Sequence, residues 1–476
     1  MKKVALISIS VFIISLFVSN CVGHIEKLPT ISEVEQGDTS YVHLFPDWEK
    51  EDYNFNTPKD VMVGADGYIF VADSGNSRIL VLNQAGLVVT EDEFGNNFQG
   101  LEDINIPGKG EIQPVQLSQD SKMNLLFCDG SNQIYAWNQH YNNTGIRYVS
   151  KEVTLQHTES GAIITSDRMD SLSYYLTNGY TLVDAKLDSS EELINSILAP
   201  HVIFDGDDPK NWEFVDDYGD TRNSKIVDIV AFGKDYNNGI YVLDKRYNRI
   251  IKLKYEIKYL LIMETDEGQS VAFDYECVFS EVAASQGSGA GFIMDPKSIT
   301  IDLSGNIYYT QTGGVYSCHG ISAGSYRTLF NPGEDDLLDI GRFQCARDVG
   351  IDSRGIIYIV DKGSNYIQTF DNEGNFLRNV ATTDIMIDTT LLETVYSYEI
   401  DSTVIPYDTT IVDSSVVEID TTVSFQLAEI LNKPEAIAIN QNILYVADTG
   451  NSRIVRFQYV IMTEQNLQDL QEYRTP

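Results

Sequence analysis

Residues 434–457 read PEAIAINQNILYVADTGNSRIVRF, and residues 58–82, near the other end of the chain, read PKDVMVGADGYIFVADSGNSRILVL. Both follow one grammar: a short apolar strand, a tight polar turn, an alternating aromatic–aliphatic strand, an Asp-x-Gly-Asn turn, and a third strand. Looser copies occupy 114–137, 227–253, 296–317 and 346–370. Period-two alternation broken by such turns is the signature of β-hairpins, so each copy is expected to form a three-stranded meander. The residues between copies leave room for a fourth, outer strand, as in Gly86-Leu87-Val88-Val89.

A lone meander of this size cannot bury both faces. Radial stacking of four-stranded antiparallel blades solves that problem and protects the strand edges, which makes the fold class all-β and the architecture a β-propeller. The tract from Tyr445 to Ile454, YVADTGNSRI, resembles the NHL repeat, and the resemblance extends over residues 58 to about 459. It implies a propeller, in that family more often six-bladed. A further copy is readable at 161–187, GAIITSDRMDSLSYYLTNGYTLVDAKL, although it lacks the Asp-x-Gly-Asn turn. Without it, the stretch between Asn138 and Asn223 would be an unusually long insertion, so seven blades are expected rather than six. Tyr41-Val42-His43-Leu44-Phe45 is expected to close the ring as the outer strand of the last blade. The resulting organisation is a signal peptide at 1–20, a linker at 21–39, the propeller at 40–460 with an inserted β-arm at about 384–425, and a tail at 461–476.

The 476 residues carry 33 Lys plus Arg against 70 Asp plus Glu, a formal charge of −37. Such a surface repels phosphate backbones and acidic headgroups, which argues against nucleic acid and against peripheral binding to anionic lipid. Lys2 and Lys3 precede an apolar run from Val4 to Val18, the pattern of an export signal. It ends Val18-Ser19-Asn20-Cys21, which resembles a bacterial lipobox with Cys21 as the lipidated residue, although Asn20 departs from the usual small residue. The expected location is the cell envelope, at the outer membrane or surface; cleavage after Gly23 would give a secreted product instead. Four cysteines then remain. Cys128 sits in an apolar strand and reads as a buried thiol, and Cys318 with Cys345 is the pair expected to form a disulfide.

Asp and Arg also populate active sites, but here they recur blade after blade, which points to a framework role. Asp73 and Asp448 are expected to accept backbone N–H bonds, Gly75 and Gly450 to supply positive φ, and Arg78, Arg249 and Arg453 to bridge turns or blades. Function in a propeller belongs to loops and channel. The long connections lie at 188–224, 256–295, 318–345 and 373–433. Within 205–220, DGDDPKNWEFVDDYGD, the carboxylates of Asp205, Asp207, Asp208, Asp216 and Asp217 are the candidate ligands for calcium, though their spacing matches no EF-hand and a solvated acidic loop is the default. Trp212, Phe214 and Tyr218 in the same stretch are candidate partner contacts. Residues 384–425, rich in Thr, Val, Ile and Asp, read as a β-hairpin or small sheet broken at Pro406.

The six histidines do not recur at equivalent blade positions, as channel ligands would, and His319 stands alone. No nucleophile elbow, phosphate loop or H-E-x-x-H motif occurs. The sequence therefore reads as an exported, lipid-anchored NHL-like propeller that binds a protein, peptide or glycan without catalysis and without a cofactor. The alternatives are a calcium-dependent hydrolase or lyase with acidic channel ligands, as the family resemblance allows, and a structural subunit of a surface assembly.

Overall fold

A computed structural model describes residues 39–91, 99–138, 145–212, 221–233, 239–265, 268–285, 293–311, 314–318, 337, 339, 341–381, 384–401, 408–426 and 430–461. Six meanders stand around one axis. Their first strands are Pro58–Val63, Gln116–Gln119, Ile226–Phe232, Pro296–Ile301, Ala346–Ile351 and Ala436–Asn440. Each packs beside the next, and the sixth packs beside the first, so the ring is closed. The second strands, such as Ile69–Asp73, Gly239–Asp244 and Ile357–Asp361, are buried at every residue, because neighbouring blades cover both their faces. That is why they read as unbroken apolar runs ending in Asp. Most of the core lies between blades: Phe70, Ala72 and Val81 of blade one, for example, pack with Leu117, Phe127 and Tyr135 of blade two.

The ring is tied shut as expected. Thr39–Trp48 pairs antiparallel with Arg453–Ile461, giving blade six the order closing strand, third, second, first. Val88 bridges Leu82 beside blade one, a short version of the expected outer strand. Blade two takes its outer strand, His201–Asp205, from a distant part of the chain. Blade five is completed by Phe376–Val380.

The blade number is six, not the expected seven. Ile163–Ser166 and Tyr180–Ala185, the strands of the supposed extra copy, pair with Val153–His157 in a separate three-stranded sheet. This sheet has one buried face, not two. Val153, Leu155, Met169 and Leu172 pack on Ile257 and Leu260 of a long hairpin, Arg249–Thr265 with Gly268–Ala284, that extends blade three. The stretch 256–284 is thus mostly strand. Lacking the Asp-x-Gly-Asn turn, the copy has no buried carboxylate to lock a blade corner, and it serves as a cap on the hairpin instead.

Residues 381–430 form a second compact unit. Asp384–Asp401 and Asp408–Gln426 make an antiparallel hairpin whose register runs from Asp384 opposite Gln426 to Asp401 opposite Asp408. Pro406 lies outside the described residues.

The recurring turn residues hold the framework. Buried Asp73 accepts the Asn56 N–H at 2.7 Å on one oxygen, and Asn76 Nδ2 and Arg78 Nε at 2.7 Å each on the other. Asp448 repeats this with Asn432, Asn451 and Arg453, and Asp244 pairs with Arg249 in blade three. Gly75 and Gly450, however, do not adopt positive φ. The left-handed residues are Ser77 (φ 50°) and Ser452 (φ 53°). Glycine is required for a different reason: a Cβ on Gly75 or Gly450 would lie 2.5 or 2.4 Å from the carbonyl oxygen of Asn56 or Asn432. Both neighbours are backbone in a hydrogen-bonded turn and cannot yield cheaply. Gly450→Ala should therefore cost about 2 kcal/mol, read as a lowered midpoint in chemical unfolding at unchanged slope.

Candidate functional site

In ring order, the residues at one equivalent position on the first strands are Asp60, Gln116, Asp228, Ser298, Asp348 and Ala436. Carboxylates alternate with neutral residues, so blades one, three and five each contribute one. All three carboxylates are buried. Each accepts the N–H of the residue after it and the N–H of the next blade's first strand. Asp60 takes Val61 at 2.8 Å and Leu117 at 2.6 Å, Asp228 takes Ile229 and Ile299 at 2.7 Å each, and Asp348 takes Val349 and Ile437 at 2.8 Å each. Ser298 Oγ also donates to Asp348. The three residues thus stitch the blades together in pairs, one to two, three to four and five to six.

Burial raises the pKa of all three, and mutual repulsion adds to this for Asp60 and Asp228. Asp228 is pushed up to about 7, first by loss of solvent and then by the charge of Asp348, against the pull of its hydrogen bonds. A carboxyl with a raised folded-state pKa contributes its full stability near pH 4 and loses that contribution as pH climbs through about 7. The melting temperature should therefore fall by roughly 5 °C or more between pH 4 and 8. Asp228→Asn, neutral at every pH, should have a shallower slope. An equal slope in variant and parent, measured by thermal unfolding, would refute this assignment.

From this tier a cavity of about 1050 Å³ runs along the axis, lined by the first strands of all six blades. Its walls are largely apolar, with Met62, Val230, Phe232, Ile301, Ile351 and Ile439 each partly exposed. At the opposite end the lining consists of the first hairpin turns, including Gly64-Ala65, Asp120-Ser121 and Asp302–Gly305. Gln116 belongs to the carboxylate tier. It is 4% exposed, its amide reaches Asp228, and its Oε1 has no hydrogen-bond partner.

One residue before the tier, blades one, four, five and six carry Lys59, Lys297, Arg347 and Glu435, which lie outside the cavity lining. Buried Glu435 of blade six contacts Arg347 and Lys362 of blade five, and Lys59 of blade one at 3.3 Å. Arg347 also donates to the Lys297 carbonyl at 2.9 Å. Burial alone would raise the Glu435 pKa, but Arg347, Lys362 and Lys59 outweigh it and hold the carboxyl down at about 2.

The sequence candidates lie elsewhere. Asp205 accepts the Asp207 N–H and Gln133 Nε2, Asp207 accepts Asn132 Nδ2, and Asp208 caps a short helical turn by accepting the Lys210 N–H. These are turn-forming bonds beside the outer strand of blade two. Trp212 donates to the Gly206 carbonyl at 3.1 Å and lies under the Arg222 guanidinium at 4.2 Å. Phe214, Asp216, Asp217 and Tyr218 lie outside the described residues, as do Cys21 and His319. Cys128 is a buried free thiol. Cys345, whose backbone N–H donates to Asp361, is a free thiol among the described residues, and the side chain of Cys318, its expected partner, lies outside them. His201 sits on the blade-two outer strand with Nδ1 on the Ala199 carbonyl and Nε2 3.7 Å from Asp274, away from the channel. Among the described residues, no group of three or more His, Cys, Asp or Glu could hold a metal ion, and no helix is long and apolar enough to cross a membrane. Sequence reading had not singled out Asp60, Gln116, Asp228, Asp348 or Glu435. For the four tier residues the signal was the alternation of carboxylate and neutral side chains at one equivalent position from copy to copy.

With six meanders and a closing strand in place, the pattern of the last blade can be compared with known proteins. The NHL repeat matches residues 431–457. The last blade is an NHL-type repeat in a chain that folds as a β-propeller. Its matched segment takes in the strands Ala436–Asn440 and Ile443–Asp448 and the Asp448–Arg453 turn. No curated protein matches the chain. Among solved structures it is similar to an auxiliary nutrient binding protein from Bacteroides thetaiotaomicron, at 7% identity, covering 88% of this chain and 72% of that one, with a TM-score of 0.41. It is also similar to a virginiamycin B lyase from Staphylococcus aureus, at 11% identity, 88% and 99% coverage and a TM-score of 0.38. A gluconolactonase from Xanthomonas campestris resembles it at 8% identity, 89% and 91% coverage and a TM-score of 0.35.

Proposed function

We propose that this propeller is an exported, lipid-anchored binding protein that holds a protein, peptide or glycan partner and performs no chemistry on it. The observation that carries this reading is the axial cavity of about 1050 Å³, a size typical of ligand sites, with apolar walls and polar groups at its two ends. Six closed blades, three of them locked at a corner by a buried Asp paired with Arg, make a rigid frame, so little ordering entropy is lost when a partner enters. The cationic start at Lys2 and Lys3, the apolar run to Val18 and the placing of Cys21 support export and anchoring.

Thermal-shift screening of the purified chain against peptide and glycan libraries tests the reading. A partner at a hundredfold its Kd should add about 2.7 kcal/mol of stability. Its binding should survive chelation with EDTA, and amides of the six first strands should gain protection from hydrogen exchange. Turnover of the bound partner, or loss of binding on chelation, would favour a calcium-dependent hydrolase or lyase instead. Protection confined to residues 384–425 would favour a structural role for the arm.

A further inference from the structure

The tier at the end of the cavity has an unusual chemical bias: its side chains offer acceptors to the cavity and few donors. Asp60, Asp228 and Asp348 come from alternate blades of a six-membered ring and therefore surround the axis at about one-third-turn intervals. Two backbone N–H groups occupy each carboxylate, with Ser298 as a third donor on Asp348 and the Gln116 amide as a third on Asp228. A carboxylate has about four acceptor positions, so each retains capacity. Gln116 adds a second and independent sign. Its carbonyl oxygen is buried at the same tier without a donor, although a buried acceptor left unsatisfied costs about 1–3 kcal/mol. Arg347, next in sequence to Asp348, is already committed to Glu435 and the Lys297 carbonyl, and lies outside the lining. The carboxylates do not form a group that could hold a metal ion. What satisfies such a tier is a cation that spreads several N–H donors over its head. The apolar walls leading to it call for an apolar stem.

We propose that Asp60, Asp228, Asp348 and Gln116 receive an N–H-bearing cationic head, ammonium or guanidinium, of a ligand whose aliphatic stem lies along the channel. This rests on the reading of the cavity as the binding site and names the chemistry of what enters it. A peptide amino terminus, a Lys or Arg side chain and a free amine all present that head.

Calorimetric titration of the whole chain with octylammonium, octylguanidinium, octyltrimethylammonium, 1-octanol and octanoate separates the outcomes. Octylammonium or octylguanidinium should bind at least about tenfold more tightly than octanol, the effect of one or two charge-assisted hydrogen bonds. Whichever of the two binds better identifies the head. Gln116→Leu should weaken that ligand about tenfold and leave octanol unchanged, and Asp228→Asn should weaken it further. Should Asp228→Asn fail to fold, Gln116→Leu still decides, because it gives up one amide contact to Asp228 but leaves the backbone bonds that stitch the blades in place. If octanol or octyltrimethylammonium binds as tightly as octylammonium, or octanoate binds best, the proposed head recognition is wrong while the cavity remains a binding site. If no octyl compound binds at all, the cavity reading fails, and this proposal with it.

Discussion

A chain lacking residues 39–48 should lose cooperative thermal unfolding, with near-native strand content at most and no sharp transition by circular dichroism. The closing strand does three things at once. It covers the edge of Arg453–Ile461, which would otherwise present a row of unpaired backbone groups. It inserts Trp48, 2% exposed, into the core shared by blades one and six, against Val61, Ala436, Tyr445 and Ile454. It also supplies Asp47, whose carboxylate accepts Arg453 at 2.8 Å. In a ring each blade is covered by two neighbours, so an opened seam exposes two faces together. Trp48→Ala isolates the packing contribution and should cost about 3–5 kcal/mol. A truncated chain that melts as sharply and as high as the parent would show that the seam is held without this strand.

Glu435→Gln is expected to be the most damaging single change of charge, at about 3–5 kcal/mol, because it removes a buried carboxylate and leaves half-buried Arg347 without its counter-charge. Lys362 and Lys59 would lose their shared partner with it, and blades five, six and one meet at this point. The pH dependence has the opposite sense to that of Asp228. A carboxyl whose folded-state pKa is depressed contributes stability that is complete above its ordinary range and disappears as pH falls through the folded value. With Glu435 held at about 2, the parent should weaken between roughly pH 4.5 and 2, and Glu435→Gln should lack that part of the acid limb. Urea unfolding at a series of pH values reads both the loss and its slope. A variant with parental stability at pH 7 would mean that Arg347 finds solvent or another carboxylate when Glu435 is gone.

Much of this fold was legible in the chain. The copies at 58–82 and 434–457 disclose blades, hairpin turns and the roles of Asp73, Arg78, Asp448 and Arg453, because a turn is a local event set by neighbours a few residues away. The closing strand was legible too, since the last copy has three strands and Tyr41–Phe45 alternates correctly. Gly75 and Gly450 were correctly marked as special but for the wrong reason: positive φ is a local inference, whereas the clash with Asn56 and Asn432 comes from a backbone segment that only the folded turn brings near. The candidate site was poorly legible. The acidic run at 205–220 draws attention by density of charge, yet Asp205, Asp207 and Asp208 spend their oxygens on their own turn and its neighbours.

The repeating phrase by itself determined that this chain makes meanders with locked corners, and that such meanders must stack to be buried. Only the tertiary structure decided how many enter the ring. The strands at 163–166 and 180–185 could have paired as a blade, but they found the edges of Val153–His157, and strand pairing is chosen by which edge is free in space. The carboxylate tier follows from that choice. Asp60, Asp228 and Asp348 alternate with neutral residues around the axis because six first strands close the ring, and a seventh between blades two and three would have broken the spacing. Convergence of distant side chains on an axis depends on ring closure, which no local pattern contains.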